Sequence, residues 1–171
     1  MGPRLTESLQ TVAQASNQDA TKAGQAYIGT QNFLIALVGI GTGVAADLLR
    51  SRGVDAEKIR GAITSSPDVA WAETGGELKA SLARAMDEAR QLNHLEMSED
   101  HMLLGILHDP GCRASVVLAR LGVDPQALRR EVLGRVTPGP AGAIAARNAL
   151  VARFAADPRV LELKQQIEKF Q

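Results

Sequence analysis

Two stretches of this 171-residue chain say nearly the same thing in different letters. Slid on itself by 69 residues, LLRSRGVDAEKIR at 48–60 falls on VLARLGVDPQALR at 117–129, so that Leu49, Gly53, Val54, Asp55 and Arg60 meet Leu118, Gly122, Val123, Asp124 and Arg129. Upstream, Leu9, Ala20, Leu34 and Ala45 meet Leu78, Ala89, Leu103 and Ala114, and no gap is needed. A repeat this long, present twice, predicts a duplicated subdomain rather than a solenoid of many short units. Whatever one copy folds into, the other must fold into as well.

Composition decides what that subdomain is made of. Apolar residues make up 45% of the chain but aromatics only 3%, so the core must be built from Leu, Ile, Val, Ala and Met. Alanine is plentiful and continuous β-branched runs are scarce, which predicts an all-α fold. In copy one the first helix is expected from about Thr6 to Ala23, ended by Gly24. In copy two it runs from about Glu77 to Leu92, where Leu78, Leu82, Ala85, Ala89 and Leu92 share one helical face. A short second helix follows, TQNFLIALV or SEDHMLLGIL, with Thr30 and Ser98 as the expected N-caps. A third covers about 43–51 and 112–120, after which Gly53 and Gly122 sit where a left-handed C-terminal cap is needed. Asp55 and Asp124 cap a fourth helix, and Pro125 suits its first position.

The organisation that follows is a double-repeat domain over 1–136, with repeats at about 5–63 and 74–134, and a C-terminal helical extension over 137–171. SSPDVAWAETGG (65–76) links the copies, with Trp71 expected to anchor it over the bundle. The extension reads as two helices, AIAARNALVARFAA and DPRVLELKQQIEKF, the second opened by an Asp157 cap and Pro158. Two readings stand for it. Ile144, Leu150, Val151, Phe154, Val160, Leu161 and Ile167 either dock back and enlarge the core, or form a partner or dimer contact, because apolar faces of that size need covering.

Several function classes are argued against. Lys+Arg and Asp+Glu both number 19, so no net charge draws the chain to nucleic acid. No apolar run is long enough for a membrane span, and the start MGPRLTESLQ lacks a signal peptide's apolar centre. The single cysteine, Cys112, forms no internal disulfide, and a cytoplasmic location is expected. Gly41-x-Gly43-x-x-Ala46 matches a dinucleotide fingerprint in letters, but a helix rather than a strand precedes it. It reads as a helix–helix turn. No G-x-x-x-x-G-K-[ST] phosphate loop occurs, so this chain runs no ATPase cycle. His94, His101, His108 and Cys112 suggest a metal, yet Asp109-Pro110-Gly111 breaks the helix between His108 and Cys112. No local feature would lower the Cys112 pKa. Asp87-Glu88 and Glu99-Asp100 read as solvated helix positions. No catalytic residue, cofactor or metal is expected.

The run YIGTQNFLIAL…GVAADLLRSRGVD resembles the signature of the Clp amino-terminal domain, and the second copy keeps EARQLNH, EDHMLLGIL and LGVD from the same signature. The resemblance covers about residues 5–135, and its doubled form makes it specific. It is closer to the ClpC type than to the ClpB disaggregase. It implies a pseudo-twofold bundle of eight helices that caps AAA+ unfoldases and binds adaptors, substrates, antibiotic cyclic peptides in actinobacterial ClpC, and phosphorylated arginine in some bacteria. His94 and His101 sit where the family carries histidines without metal.

The resemblance also marks departures. The family's phosphoarginine sites use the Glu of GTEH in each copy and the Thr of an aromatic-Thr pair. Here those Glu positions are Gln31 and Asp100, and the opening pairs are Leu5-Thr6 and Thr74-Gly75. A guanidinium wants a carboxylate fork; Gln31 has no charge and Asp100 is a methylene shorter, so this binding is expected to be lost. The cyclic-peptide groove lies between the two first helices, beside aromatics absent at Leu5 and Thr74, and Gly2 adds no side chain. Drug capture is therefore expected to be weakened and the groove retuned. The groove residues implied are Thr6, Gln10, Ala13 and Asn17, with Lys79 and Ala83 opposite. The expected role is a non-catalytic protein- or peptide-binding module, a stand-alone adaptor or decoy for a Clp unfoldase–peptidase, which the segment 141–171 favours. The alternative is the excised N-terminal domain of a ClpC-type unfoldase.

Overall fold

The computed structural model describes residues 4–65 and 76–169. Trp71 and Thr74, singled out above, lie outside these described residues. The first repeat is α1 (Glu7–Lys22), α2 (Thr30–Ile40), α3 (Gly43–Ser51) and α4 (Ala56–Thr64). The second is α5 (Gly76–Gln91), α6 (Glu99–Leu107), α7 (Arg113–Arg120) and α8 (Pro125–Arg135). The 69-residue shift carries Glu7 onto Gly76 and Ala56 onto Pro125, so first and fourth helices start in step. Two short strands, β1 (Arg4–Leu5) and β2 (Glu96–Met97), pair in parallel with Leu5 opposite Met97.

Local chemistry sets the helix ends. Thr6 caps α1 by accepting from the Leu9 amide (3.2 Å), Asp55 caps α4 through the Lys58 amide (2.8 Å), and Asp124 caps α8 through the Gln126 amide (2.9 Å). Asp55→Ala is expected to destabilise the fold by about 1 kcal/mol, read as a lowered urea midpoint, because one first-turn amide loses its acceptor. Gly53 and Gly122 hold φ of 68° and 79°, the left-handed caps the sequence demands. Gly41 ends α2 and Gly43 opens α3, so the glycine cluster is a turn between helices. One expected cap takes another role and one keeps its place. Gly29, not Thr30, is the N-cap of α2. Ser98 is the N-cap of α6, but its hydroxyl faces His101 Nδ1 (3.0 Å) and the same ring nitrogen accepts the Ser98 amide (2.9 Å).

The core sits where α2 and α6 lie. Both are apolar nearly all round, as a helix covered on every side must be. Leu34, Leu37, Leu103, Leu104, Ile106 and Leu107 are fully buried. The amphipathic α1 and α5 cover them, and α5 against α6 is the most extensive helix pairing among the described residues. Gly105 explains why. A Cβ there would lie 2.3 Å from the Ser81 carbonyl oxygen and 2.7 Å from the Ala85 amide. One shift earlier the residue is Ala36, so α1 cannot use the same approach on α2. Each repeat also carries the same ion pair: Arg60 Nη2 meets Asp19 Oδ1 (2.7 Å), and Arg129 meets Glu88 one shift on.

The C-terminal extension forms α9 (Ala143–Ala155) and α10 (Pro158–Glu168). No residue of either helix is buried and neither contributes to the core. The enlarged-core reading of this segment therefore does not hold: Leu150, Val151, Phe154, Leu161, Leu163 and Ile167 are exposed. The chain leaves the bundle through Gly139, whose amide donates to the Leu92 carbonyl (2.7 Å).

Candidate functional site

Between α1 and α5, beside the β1–β2 pair, lies an apolar pocket of ≈ 190 Å³. Leu9 and Leu78, Ala13 and Leu82, Ile28 and Met97, and Phe33 and Met102 line it, with Leu5 and Ser16. Each of those four pairs is related by the 69-residue shift. The pocket therefore sits on the pseudo-twofold axis, where the two copies meet. Leu9, Ala13 and Ser16 are spaced i, i+4, i+7 on α1, and Leu78 and Leu82 are spaced i, i+4 on α5, so one stripe of each first helix faces inward. Ser16 donates its hydroxyl to the Val12 carbonyl (2.7 Å), so no free donor points into the space. Leu5 and Leu82, each 40% exposed, form the rim. The volume is below that of a drug-sized site but takes an apolar side chain.

The residues implied by the sequence fall around this pocket in different ways. Ala13 lines it. Thr6 and Gln10 secure its edge: the Thr6 amide donates to the Met97 carbonyl (3.0 Å), and Gln10 Nε2 donates to the Leu5 carbonyl (3.1 Å). Asn17, Lys79 and Ala83 are exposed and none lines the pocket. Sequence reasoning missed Leu9, Ile28, Phe33, Leu78, Leu82, Met97 and Met102. The signal that finds them is a position that stays apolar in both copies on the inner stripe of the first helix or just before and within the second.

Gln31 and Asp100 lie elsewhere, in the first turns of α2 and α6. Asp100 Oδ1 accepts from the Ala45 amide in α3 (2.7 Å), and its two oxygens lie 3.0 Å from where a Gly43 Cβ would be. Glu99 accepts from the Thr42 amide (3.0 Å), the Thr42 hydroxyl (2.9 Å) and the Ser8 hydroxyl. In the reverse direction Thr30 Oγ1 accepts from the Ala114 amide in α7 (3.1 Å). Each second helix thus caps the third helix of the other repeat. Gln31 is buried; its Nε2 donates to Asn32 Oδ1 (3.2 Å).

Glu99 and Glu88, read above as solvated, are 3% and 7% exposed, because each has fixed partners that replace water. Burial acts most strongly on the Glu99 carboxyl and pushes it up. The hydrogen bonds from Ser8, from its own backbone and from Thr42 together outweigh burial, so its pKa falls below the ordinary value. For Asp100 burial wins: helped by the negative charges of Glu99 and Asp47, it raises the pKa against the Ala45 and Val44 amides. These carboxylates are engaged in holding helices. Among the described residues no three His, Cys, Asp or Glu side chains gather to hold a metal. No helix among the described residues is by itself long and apolar enough to cross a membrane.

The family profile described as the Clp repeat (R) N-terminal domain matches residues 4–69 and 76–166. The chloroplastic chaperone protein ClpC2 of Arabidopsis thaliana is 34% identical over 145 residues, covering 80% of this chain and 15% of the relative. A probable ATP-dependent Clp protease ATP-binding subunit of Chlamydia pneumoniae is 31% identical over 140 residues, covering 78% of this chain and 17% of the relative. The chain thus spans about a sixth of the length of these relatives. Among solved structures, the N-terminal domain of ClpD from Arabidopsis thaliana superposes with a TM-score of 0.61 at 22% identity, covering 77% of this chain and 94% of that one. The N-terminal domain of the ClpV1 ATPase from E. coli gives a TM-score of 0.54 at 19% identity, covering 74% and 82%. With both repeats matched and the eight-helix bundle in place, the chain belongs to the Clp repeat N-terminal domain family.

Proposed function

We propose that this chain is a non-catalytic binding module of the Clp proteolysis system. It takes an apolar side chain of a peptide segment, from a substrate or an adaptor, into the pocket between α1 and α5. The observation that carries this reading is the lining itself: apolar, rimmed by exposed Leu5 and Leu82, and without a free polar group or reactive side chain. Burying one Leu- or Phe-sized side chain contributes roughly 1.5–3 kcal/mol, about ten- to a hundredfold in affinity added to what the rest of the peptide's contacts supply. An apolar cyclic peptide would compete for the same space. Phosphoarginine is not part of the proposal, since Asp100 caps α3 and Gln31 is buried against Asn32. Within the Clp system we assign it the role of a stand-alone adaptor or decoy. A second reading, the substrate-binding N-terminal domain of a ClpC-type unfoldase, draws on the much greater length of the matching relatives. A reading frame continuing into a phosphate loop decides for it.

Leu82→Asp places a charge on the rim at a half-exposed position and leaves the core intact. Fluorescence anisotropy with labelled apolar peptides is expected to show saturable binding, weakened about tenfold or more by this substitution. A Clp unfoldase or peptidase should be retained from native lysate by the wild-type chain and lost with Leu82→Asp. Peptide binding that ignores the substitution, or no retention of any Clp component, sinks the proposal.

A further inference from the structure

His94 and His101 stand on either side of β2 in the chain, and a hydrogen bond between them closes the loop that carries it: His94 Nδ1 lies 2.7 Å from His101 Nε2. Both outer ends of the pair are fixed. His101 Nδ1 accepts the Ser98 amide (2.9 Å), and His94 Nε2 donates to the Thr137 carbonyl (2.8 Å). Gly139 packs against the loop from outside; a Cβ there would lie 2.4 Å from the Asn93 carbonyl oxygen and 3.1 Å from His94 Cδ2. β2 in turn holds the pocket wall. The Leu95 and Met97 carbonyls accept the Arg4 and Thr6 amides (3.3 and 3.0 Å), which seats Leu5 opposite Met97, and both side chains line the pocket.

The other copy is built at the same positions without a titratable ring. One shift back, Gln25 and Asn32 take the places of the two histidines. Asn32 Oδ1 accepts the Gly29 amide (2.8 Å), as His101 accepts that of Ser98, and Asn32 Nδ2 donates to Asp19 Oδ2 (2.9 Å). A helix start of this kind needs only an acceptor, and two histidines add a response to protons. Each neutral ring has one N–H and one accepting nitrogen, and both accepting nitrogens are in use. A proton on either ring therefore sets two N–H groups face to face, at Ser98 or between the rings. Among the described residues no carboxylate pairs with either ring to hold an imidazolium. Burial, joined by His94 as the one ionisable group acting on it, brings the His101 pKa down to about 4.

We infer that the His94–His101 pair is an acid-operated latch on the peptide pocket: protonation opens the bond across the β2 loop, β1 and β2 part, and the wall made by Leu5 and Met97 lets the bound side chain go. The release of peptide rests on the binding role proposed above; the latch itself rests on the loop. The closed loop binds fewer protons than the open one, so closure is fully favoured above pH 6.5 and loses ground as pH falls toward about 4.

Anisotropy with a labelled peptide, blocked at both ends and carrying one Phe anchor and no ionisable side chain, tests this at about pH 7 and about pH 5. Binding is expected to be about tenfold weaker at the lower pH, with the far-UV signal of the bundle retained. His94→Gln with His101→Asn, which copies the pair of the first repeat, should bind equally at both. Affinity that ignores pH in the wild-type chain, or that falls equally in the double variant, overturns the inference. No binding at about pH 7 defeats the pocket's proposed role instead, and the latch is then read from amide exchange of the wild-type chain. Protection of the Arg4 and Thr6 amides should fall about tenfold between the same two pH values relative to the amides of α2. Protection that keeps level with α2 overturns the latch.

Discussion

Acidified from about pH 7 to about pH 4, the bundle is expected to lose about 3 kcal/mol of stability through one ring, His101. The ring is buried in α6, and burial, joined by the neighbouring His94, lowers its pKa from 6.5 to about 4. Hydrogen-bond roles follow along a line. The Ser98 amide can only donate, so His101 Nδ1 accepts it (2.9 Å). His101 Nε2 then carries the proton and donates to His94 Nδ1 (2.7 Å), and His94 Nε2 donates to the Thr137 carbonyl (2.8 Å). Both rings are neutral in this arrangement. Because the folded pKa is depressed, the contribution is complete above pH 6.5 and is lost as pH falls through about 4. Glu99, also depressed, adds to the loss at lower pH; Asp100, raised, works in the opposite sense. Urea denaturation at a series of pH values measures the slope. His101→Gln keeps an acceptor for the Ser98 amide and cannot titrate, so it should flatten the curve between about pH 6.5 and pH 4. A slope unchanged by His101→Gln would place the acid sensitivity elsewhere.

Gly105→Ala should cost about 3 kcal/mol, although alanine is the better helix former by about 1 kcal/mol. The added Cβ meets backbone, the Ser81 oxygen and the Ala85 amide, and cannot be accommodated by rotating a side chain. α5 must move away from α6, opening the tightest helix contact and shifting Leu78 and Leu82 at the pocket. Thermal unfolding should fall by roughly 10 °C, since about 1 kcal/mol is worth 2–4 °C at this size. Gly61→Ala is the control: nothing lies near its Cβ, so it should be neutral or mildly stabilising. If Gly105→Ala melts like Gly61→Ala, the close approach of α5 is not what holds the second repeat.

Much of this architecture was legible in the letters. Asp55, Asp124, Gly53 and Gly122 mark helix boundaries because capping is local chemistry, decided within four residues. The duplication was legible because its spacing is uniform. What escaped depends on the meeting of the two copies. Thr30 looks like a cap for its own helix, and it caps a helix in the other repeat. Glu99 looks solvated by residue type and is buried by partners from α1 and from the turn before α3. At the pocket, Ala13 lines the space and Gln10 holds its edge, whereas Asn17 and Lys79 lie on the outer faces of the first helices. The groove residues came from the family resemblance, while the inner stripe read as ordinary core, since a sequence does not show where a core is left unfilled. The fate of α9 and α10 was open for the same reason: an apolar stripe tells that a face needs covering and not by what.

The crossed caps between repeats have a consequence for synthesis. A domain whose halves finish each other's helix ends is a dimer joined into one chain. While only the first half has left the ribosome, the amides of Thr42 and Ala45 lack the carboxylates of Glu99 and Asp100 that will satisfy them. The apolar α2, made to be buried on every side, has no α6 to lie against. The first repeat must therefore wait, unlocked, until the second is translated, and closure comes as one late step. In that interval the nascent chain displays an apolar helix with nothing to bury it, the kind of surface that makes a folding intermediate prone to aggregate.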